Sequence, residues 1–183
     1  MRVISGKYKG RVIKMPKEIR PSQDKVRKAL FDILGGIEGL SFLELFAGSG
    51  AIGIEALSQG VKELVLVEKD PECIKIIKDN FSLLGEAGYS LIGLDTQQAL
   101  ARLSKEGRKF DIIFMDPPYY QDMAKKTLQT LAAYDILTPS GFILVQHFKK
   151  DFLPEKSGDF TLFKQYKYGD TLLSLYQKVT SNQ

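Results

Sequence analysis

Asp116-Pro117-Pro118-Tyr119 sets a carboxylate, two residues without an N–H and an aromatic ring on four consecutive positions. Proline fixes its own φ at roughly −65° and cannot donate to a sheet ladder. Pro117 also pushes Asp116 into an extended conformation. The preceding run, Phe110-Asp111-Ile112-Ile113-Phe114-Met115, has the β-branched and aromatic composition of a buried parallel strand. The carboxylate, the Pro117 carbonyl and the Tyr119 ring therefore stand on a stiff turn past a strand's carboxyl end, where open α/β sheets bind ligands. Such a turn could hold a flat molecule bearing an amino group.

A second stretch, Glu44-Leu45-Phe46-Ala47-Gly48-Ser49-Gly50-Ala51-Ile52-Gly53, follows a predicted strand and opens a predicted helix. Gly48, Gly50 and Gly53 match G-x-G-x-x-G, and Glu68 closes the next strand 15 residues after Gly53. Alone, this permits a dinucleotide with Glu68 on ribose hydroxyls. It equally permits a tight turn with close helix packing. Glu44 discriminates, because a pyrophosphate at this loop would meet a like charge. A ligand with an ammonium group would be attracted to it. S-adenosylmethionine carries an amino group, a sulfonium and a ribose, and no phosphate. Glu68 suits its ribose hydroxyls, and Asp95, after the third strand, could accept from the exocyclic amine of adenine. Acidic residues at four strand ends (Glu44, Glu68, Asp95 and Asp116) describe a cationic nucleoside better than a dinucleotide, which leaves a nicotinamide oxidoreductase as the weaker reading.

The elements that must position these groups are legible as strand–helix alternation from Phe42 onward, the mark of a parallel α/β sheet. Strands are predicted at 42–46, 63–68, 90–94, 110–115 and 142–147, and helices at 51–59, 71–84, 96–105 and 122–136. Pro71 falls in a helix first turn, where its missing N–H costs nothing. Gly60, Gly85 and Gly107 fall where helices should end. Beyond Pro154 the order changes, and 160–167 with 171–179 read as an antiparallel hairpin about Gly169-Asp170. Ahead of the alternation, Arg2 to Met15 reads as two short strands about a glycine-bounded turn. Ser22 is the predicted N-cap of a helix that Gly35-Gly36 ends. That helix has an apolar stripe of Val26, Ala29, Leu30, Ile33 and Leu34, and a polar face with Arg20, Asp24 and Arg27.

Charge separates these two regions. Residues 1–34 hold ten Lys/Arg against Glu18, Asp24 and Asp32, a net +7, whereas the other 149 residues hold 16 basic and 19 acidic side chains, a net −3. A basic segment on a mildly acidic body suggests a surface that faces a polyanion, nucleic acid above all. Lys7, Tyr8, Lys9 and Arg11 mix cations with an aromatic, as phosphate contact plus base stacking requires; Tyr8 could equally cover the hairpin's apolar face. The 183 residues suffice for one domain with a core. The lone Cys73 and lone His147 cannot assemble an N/S metal site, so no metal is expected. A single cysteine, no secretory h-region after Met1 and no apolar run near the roughly 20 residues of a membrane span lead us to expect a cytoplasmic protein without a membrane partner.

With these residues in hand, the chain resembles a class I methyltransferase of the amino-group type. More closely, it is similar to the bacterial small-subunit ribosomal RNA guanine-N2 methyltransferases of the RsmD family. The resemblance runs from Arg2 to about Lys178. It is carried by Arg2-Val3-Ile4-Ser5-Gly6 with Gly10-Arg11, by Arg20 to Asp32, by Phe46 to Ser58, and by Asp116 to Tyr119. The glycine loop and the Asp-Pro-Pro-Tyr turn indicate a methyltransferase acting on a planar amino nitrogen, and the first two blocks are the more specific. Ser22, Gln23, Lys25 and Lys28 depart from the family's pattern, as does Gln146, where the family shows Glu; no role is assigned to Gln146. His147 is read as a polar strand-end residue.

The resemblance implies a Rossmann-like α/β fold, with a mostly parallel seven-stranded sheet, a C-terminal antiparallel hairpin and a basic N-terminal hairpin and helix. Residues 1–36 would be the RNA-facing extension and 37–183 the methyltransferase domain. S-adenosylmethionine would be the cofactor, held by Glu44, Phe46, Gly48, Gly50, Glu68, Asp95 and Asp116. The substrate would be a guanine of 16S rRNA, within an assembling small subunit and met by a monomer. Asp116, Pro117 and Tyr119 would be catalytic. Arg2, Lys7, Tyr8, Lys9, Arg11, Arg20 and Arg27 would grip the RNA. Amino methylation of a DNA base, of another RNA or of a protein amide, and a non-catalytic assembly factor, are the alternatives.

Overall fold

The computed structural model describes residues 1–16, 24–119 and 122–179. Arg20, the Ser22 cap and Tyr120 lie outside them. The chain divides into two compact units, Met1–Asp95 and Thr96–Gln183.

The first unit contains a 3-10 turn at Gly6–Tyr8, α1 (Asp24–Leu34), β1 (Ser41–Leu45), α2 (Ala51–Ser58), β2 (Glu63–Val67), α3 (Pro71–Leu84) and β3 (Ser90–Ile92). Its strands lie parallel in the order β3-β2-β1, with Glu44 opposite Leu66 and Val67 opposite Ile92. Every residue of β1 is buried, as a parallel strand covered on both faces requires. Pro71 opens α3, Asp70 caps it by accepting from the Cys73 N–H at 2.9 Å, and Gly85 closes it at φ 70°. The expected N-terminal hairpin is present as a short antiparallel pairing about the 3-10 turn: the Arg2–Val12 bridge is flanked by the Val3 N–H on the Arg11 carbonyl at 3.0 Å and the Ile13 N–H on the Met1 carbonyl at 2.8 Å. Gly6 turns the chain at φ +74°, and an added Cβ would lie 1.9 Å from the Ser58 carbonyl oxygen, so the hairpin's turn sits against α2 only with glycine there.

The second unit contains α4 (Thr96–Lys105), β4 (Phe110–Met115), α5 (Met123–Ala133), β5 (Leu137–Phe148), β6 (Lys156–Ser157), β7 (Phe160–Tyr168) and β8 (Thr171–Lys178). Its strands run β4-β5-β8-β7-β6, with β4 and β5 parallel and the rest antiparallel. The described residues thus hold the seven expected strands and the two-residue β6. β5 is longer than expected, starting at Leu137 rather than at 142. The register of β4 on β5 shifts between Phe110 and Ile112, and this irregularity absorbs Pro139 and the early residues of β5. Past the shift Met115 lies opposite Val145, so the residues that follow them, Asp116 and Gln146, emerge side by side.

Candidate active site

In the first unit the site is built where β1 passes into α2. Phe46 takes φ 60°, Gly48 φ 57° and Gly50 φ 73°. Left-handed backbone is cheap for glycine and costs other residues roughly 1 kcal/mol, so Phe46 is strained at the point where the chain turns out of the strand. Glu44, 2% exposed, accepts from the Gly53 N–H at 2.8 Å. A Cβ on Gly53 would approach Glu44 Oε2 to 2.7 Å and Leu66 Cδ2 to 2.6 Å, so the third glycine serves close packing. Glu44 thus stands at the positive N-terminal end of α2.

Glu68 is fixed just as closely. It accepts from the N–H groups of Gly48 at 2.8 Å, Lys69 at 2.8 Å and Asp70 at 2.9 Å, which set its carboxylate at the carboxyl end of β2 beside the glycine loop. Asp95 is partly open to solvent and pairs with Lys69 at 3.5 Å. This donor set fits a phosphate-free, cationic nucleoside. A carboxylate already sits on the helix N-terminus that a pyrophosphate would need, while Glu68 and Asp95 are acceptors suited to hydroxyl and amine donors.

In the second unit, Asp116 is held differently. Its partner among the described residues is a side chain, the Gln146 amide, which donates to Oδ2 at 3.0 Å. The residue keeps part of its surface open, but its carboxyl is desolvated. Burial pushes the carboxyl up to about 7, and the Gln146 hydrogen bond pulls against that rise. Pro117 and Pro118 supply no N–H to relieve it. Tyr119, half-buried, leans on Phe148 with ring centroids 5.8 Å apart, and its hydroxyl is hydrogen-bonded to Thr171 and Gln146. Burial raises the Tyr119 pKa, so the phenol stays protonated at neutral pH. Gln146 thus ties the carboxylate to the ring. It is the site residue that the sequence left without a role, and no local pattern marks it: its place follows from the β4–β5 register.

His147 is 1% exposed, with Nε2 2.8 Å from Ser174 Oγ and Nδ1 3.1 Å from the Phe148 carbonyl. Burial lowers its pKa and keeps it neutral, as befits a structural strand residue.

Two expected RNA contacts are corrected by burial. Arg27 is 1% exposed. Its guanidinium hydrogen-bonds the Arg2 carbonyl at 2.6 Å and Asp24 at 3.1 Å, contacts the Met1 sulfur, and lies 3.8 Å from Glu55. Glu55 in turn accepts from the N–H groups of Ile4 at 2.9 Å and Ser5 at 2.8 Å. Tyr8, 7% exposed, is packed, and its N–H donates to Ser58 at 2.8 Å. Both residues fasten the N-terminal segment to α2. Arg2, Lys7, Lys9 and Arg11 remain at the surface. Lys7 pairs with Glu86 at 2.6 Å, and Arg11 donates to the Leu83 carbonyl at 2.8 Å.

Residues 1–177 match the family described as "Conserved hypothetical protein 95". The chain belongs to that family. It is 37% identical to a Bacillus subtilis protein named as a candidate rRNA methyltransferase, YlbH, over 97% of this chain and 99% of that one. It is 31% identical to the ribosomal RNA small subunit methyltransferase D of Haemophilus influenzae, over 97% of this chain and 93% of that one. The solved structure of yhhF from Escherichia coli, described as a candidate methyltransferase, superposes with a TM-score of 0.86 at 29% identity, covering 97% of each chain. The fold is the Rossmann-like fold of class I methyltransferases. No helix among the described residues is long and apolar enough to cross a membrane.

Proposed function

We propose that this protein transfers a methyl group from S-adenosylmethionine to the exocyclic N2 of a guanine in small-subunit ribosomal RNA. The observation that carries the reading is Asp116: a desolvated carboxylate with a pKa of about 7, on a turn whose prolines offer it no backbone donor. A planar amine supplies the N–H that is missing. The names of the relatives support rRNA as the substrate class, and guanine N2 rests on the resemblance of the N-terminal blocks. Residues 1–36 act as the RNA-facing extension and 37–183 as the methyltransferase domain. The substrate is 16S rRNA in an assembling subunit.

Bound S-adenosylmethionine supplies an electrophilic methyl on a positively charged sulfur. Glu68 accepts from its ribose hydroxyls, Asp95 accepts from its adenine amine, and the Phe46–Gly50 turn lets backbone approach closely. Glu44 acts one step back, by holding that turn on α2. The lone pair of the guanine amine is delocalised into the ring and makes a poor nucleophile. Asp116 accepts one amine N–H and the Pro117 carbonyl accepts the other, which orients the nitrogen and frees its lone pair for in-line attack. Most of the acceleration is positioning by groups fixed in advance. Asp116 then takes the proton that the methylated nitrogen sheds, a transfer for which a pKa near the working pH is well matched. Tyr119, braced by Phe148 and hydrogen-bonded at its hydroxyl, stacks on the base once it leaves its own stack.

The test is to incubate the protein with labelled donor and naked rRNA, assembled small subunits, DNA or cell protein, and to identify the labelled product. Label in N2-methylguanosine of small-subunit rRNA is expected. Label confined to another nucleoside, to DNA or to protein overturns the substrate, and no label in any arm overturns the reaction.

A further inference from the structure

The stretch between β5 and β6 carries a feature that the proposed reaction does not use. Phe152 is 90% exposed, the most exposed large apolar side chain among the described residues. The segment that presents it is anchored on both sides. The Asp151 N–H donates to the Phe148 carbonyl at 2.9 Å, and the buried Tyr176 donates its hydroxyl to the Pro154 carbonyl at 2.8 Å. Lys149 is fixed to Asp170 through its backbone N–H at 2.8 Å and its ammonium at 2.5 Å. The ring is therefore displayed by ordered backbone. It also shares one shallow depression with Pro117 and Pro118, the residues that carry Asp116 into its turn.

The chemistry around the ring selects the partner. Lys150, two residues before Phe152, is exposed, and residues 149–168 hold five lysines against Asp151, Glu155 and Asp159. A bare aromatic ring two residues from an exposed lysine, on a net-positive segment, offers the stacking and phosphate contact by which single-stranded nucleic acid is recognised. Extruding a target base onto Tyr119 strips its neighbour of one stacking partner, and the Phe152 ring, on the depression that Pro117 and Pro118 line, can replace it.

We propose that Phe152 is the stacking platform for the nucleobase adjoining the target nucleotide, with Lys150 taking a neighbouring phosphate. The proposal rests on the reading of Asp116 as the target-amine acceptor in an RNA methyltransferase, and it assigns to the second unit a share of the RNA grip that charge alone assigned to the N-terminal segment.

The test is filter binding of a small-subunit rRNA transcript and of assembled small subunits, with methyl transfer measured alongside. Phe152→Ala weakens RNA affinity and raises KM about tenfold, with donor affinity and melting temperature unchanged because the side chain lies outside the core. Phe152→Trp restores affinity. Phe152→Ala keeps the wild-type salt dependence, whereas Lys150→Gln lowers its slope by about one. Unchanged affinity of Phe152→Ala for both RNAs overturns the proposal and leaves the ring to a protein partner. Weakened affinity in a protein whose wild type methylates neither RNA supports the platform and overturns the methylation reading instead.

Discussion

Glu44, near the end of β1, and Asp116, just past the end of β4, are both carboxylates at the carboxyl ends of parallel strands, yet they meet opposite surroundings. After Glu44 the chain makes a glycine turn into α2, and the helix returns a backbone N–H to the carboxylate. Glu68, at the end of β2, receives three. After Asp116 come two residues that have no N–H to return, and the partner found is the Gln146 amide. Desolvation makes a carboxylate take up a proton more readily, one amide donor offsets that only in part, and Asp116 accordingly sits at about 7. Glycine after a strand builds a carboxylate into the scaffold; proline after a strand gives it no donor from the backbone that follows.

Four substitutions test this contrast. Asp116→Ala removes the acceptor and should lower methyl transfer by about 10³-fold, while donor affinity, measured by calorimetry, and circular dichroism stay near wild type. Wild-type turnover would falsify the role of the turn. Glu44→Ala should act in the opposite currency: an N–H of α2 loses its buried partner, and denaturant titration should show a loss of about 1–3 kcal/mol. If this variant keeps full stability, Glu44 does not hold the loop. Pro117→Ala returns an N–H to the turn. The Asp116 pKa should fall, the acid limb of the rate profile should move to lower pH, and the maximal rate should drop about tenfold as the carboxylate becomes a weaker base. An unmoved acid limb would refute the argument that the prolines withhold a donor.

The smallest effect concerns stability. A carboxyl whose folded pKa is raised binds its proton more tightly in the fold. Its cost is therefore absent below the unfolded value of about 4, grows as pH rises, and is complete above about 7. Asp116→Asn should accordingly melt higher than wild type at pH 8, with the difference vanishing near pH 4. The sign is opposite to that of a salt-bridged carboxylate, so a variant less stable at pH 8 contradicts the desolvation account. Wild-type activity should rise through about pH 7 as Asp116 ionises.

The contrast extends to the basic N-terminal segment. Its composition promised a surface of cations, but the same residue types divide once burial is known. Arg27 lies under the segment against Glu55, where a buried pair holds structure together. Lys7 and Arg11 lie on top, in exposed contacts worth little and easily exchanged for phosphate. Helical periodicity placed Arg27 on the polar face of α1. It could not reveal that residues 1–5 would lie across that face and bury it.

Most of the framework was legible because its causes are local. Apolar runs of five to six residues gave β1, β2 and β4, Pro71 and Gly85 bounded α3, and the paired prolines ended β4 where an extended chain must stop. The early start of β5 escaped because it depends on pairing with Phe110, a contact between residues far apart in sequence. The 3-10 form of the hairpin's turn escaped because it seats Gly6 against the Ser58 carbonyl, a contact between residues far apart in sequence.

The sequence alone therefore determined that a carboxylate would stand on a proline-stiffened turn, that a glycine loop would follow a strand, and that positive charge would gather in the first 34 residues, since each follows from residue type and immediate neighbours. Tertiary structure alone decided that Gln146 would bridge Asp116 and Tyr119, that Arg27 would be a fastener, and that Phe152 would stand bare beside the turn. Each of these depends on which distant backbone arrives to donate a hydrogen bond or exclude water, and neither is written in the neighbouring residues.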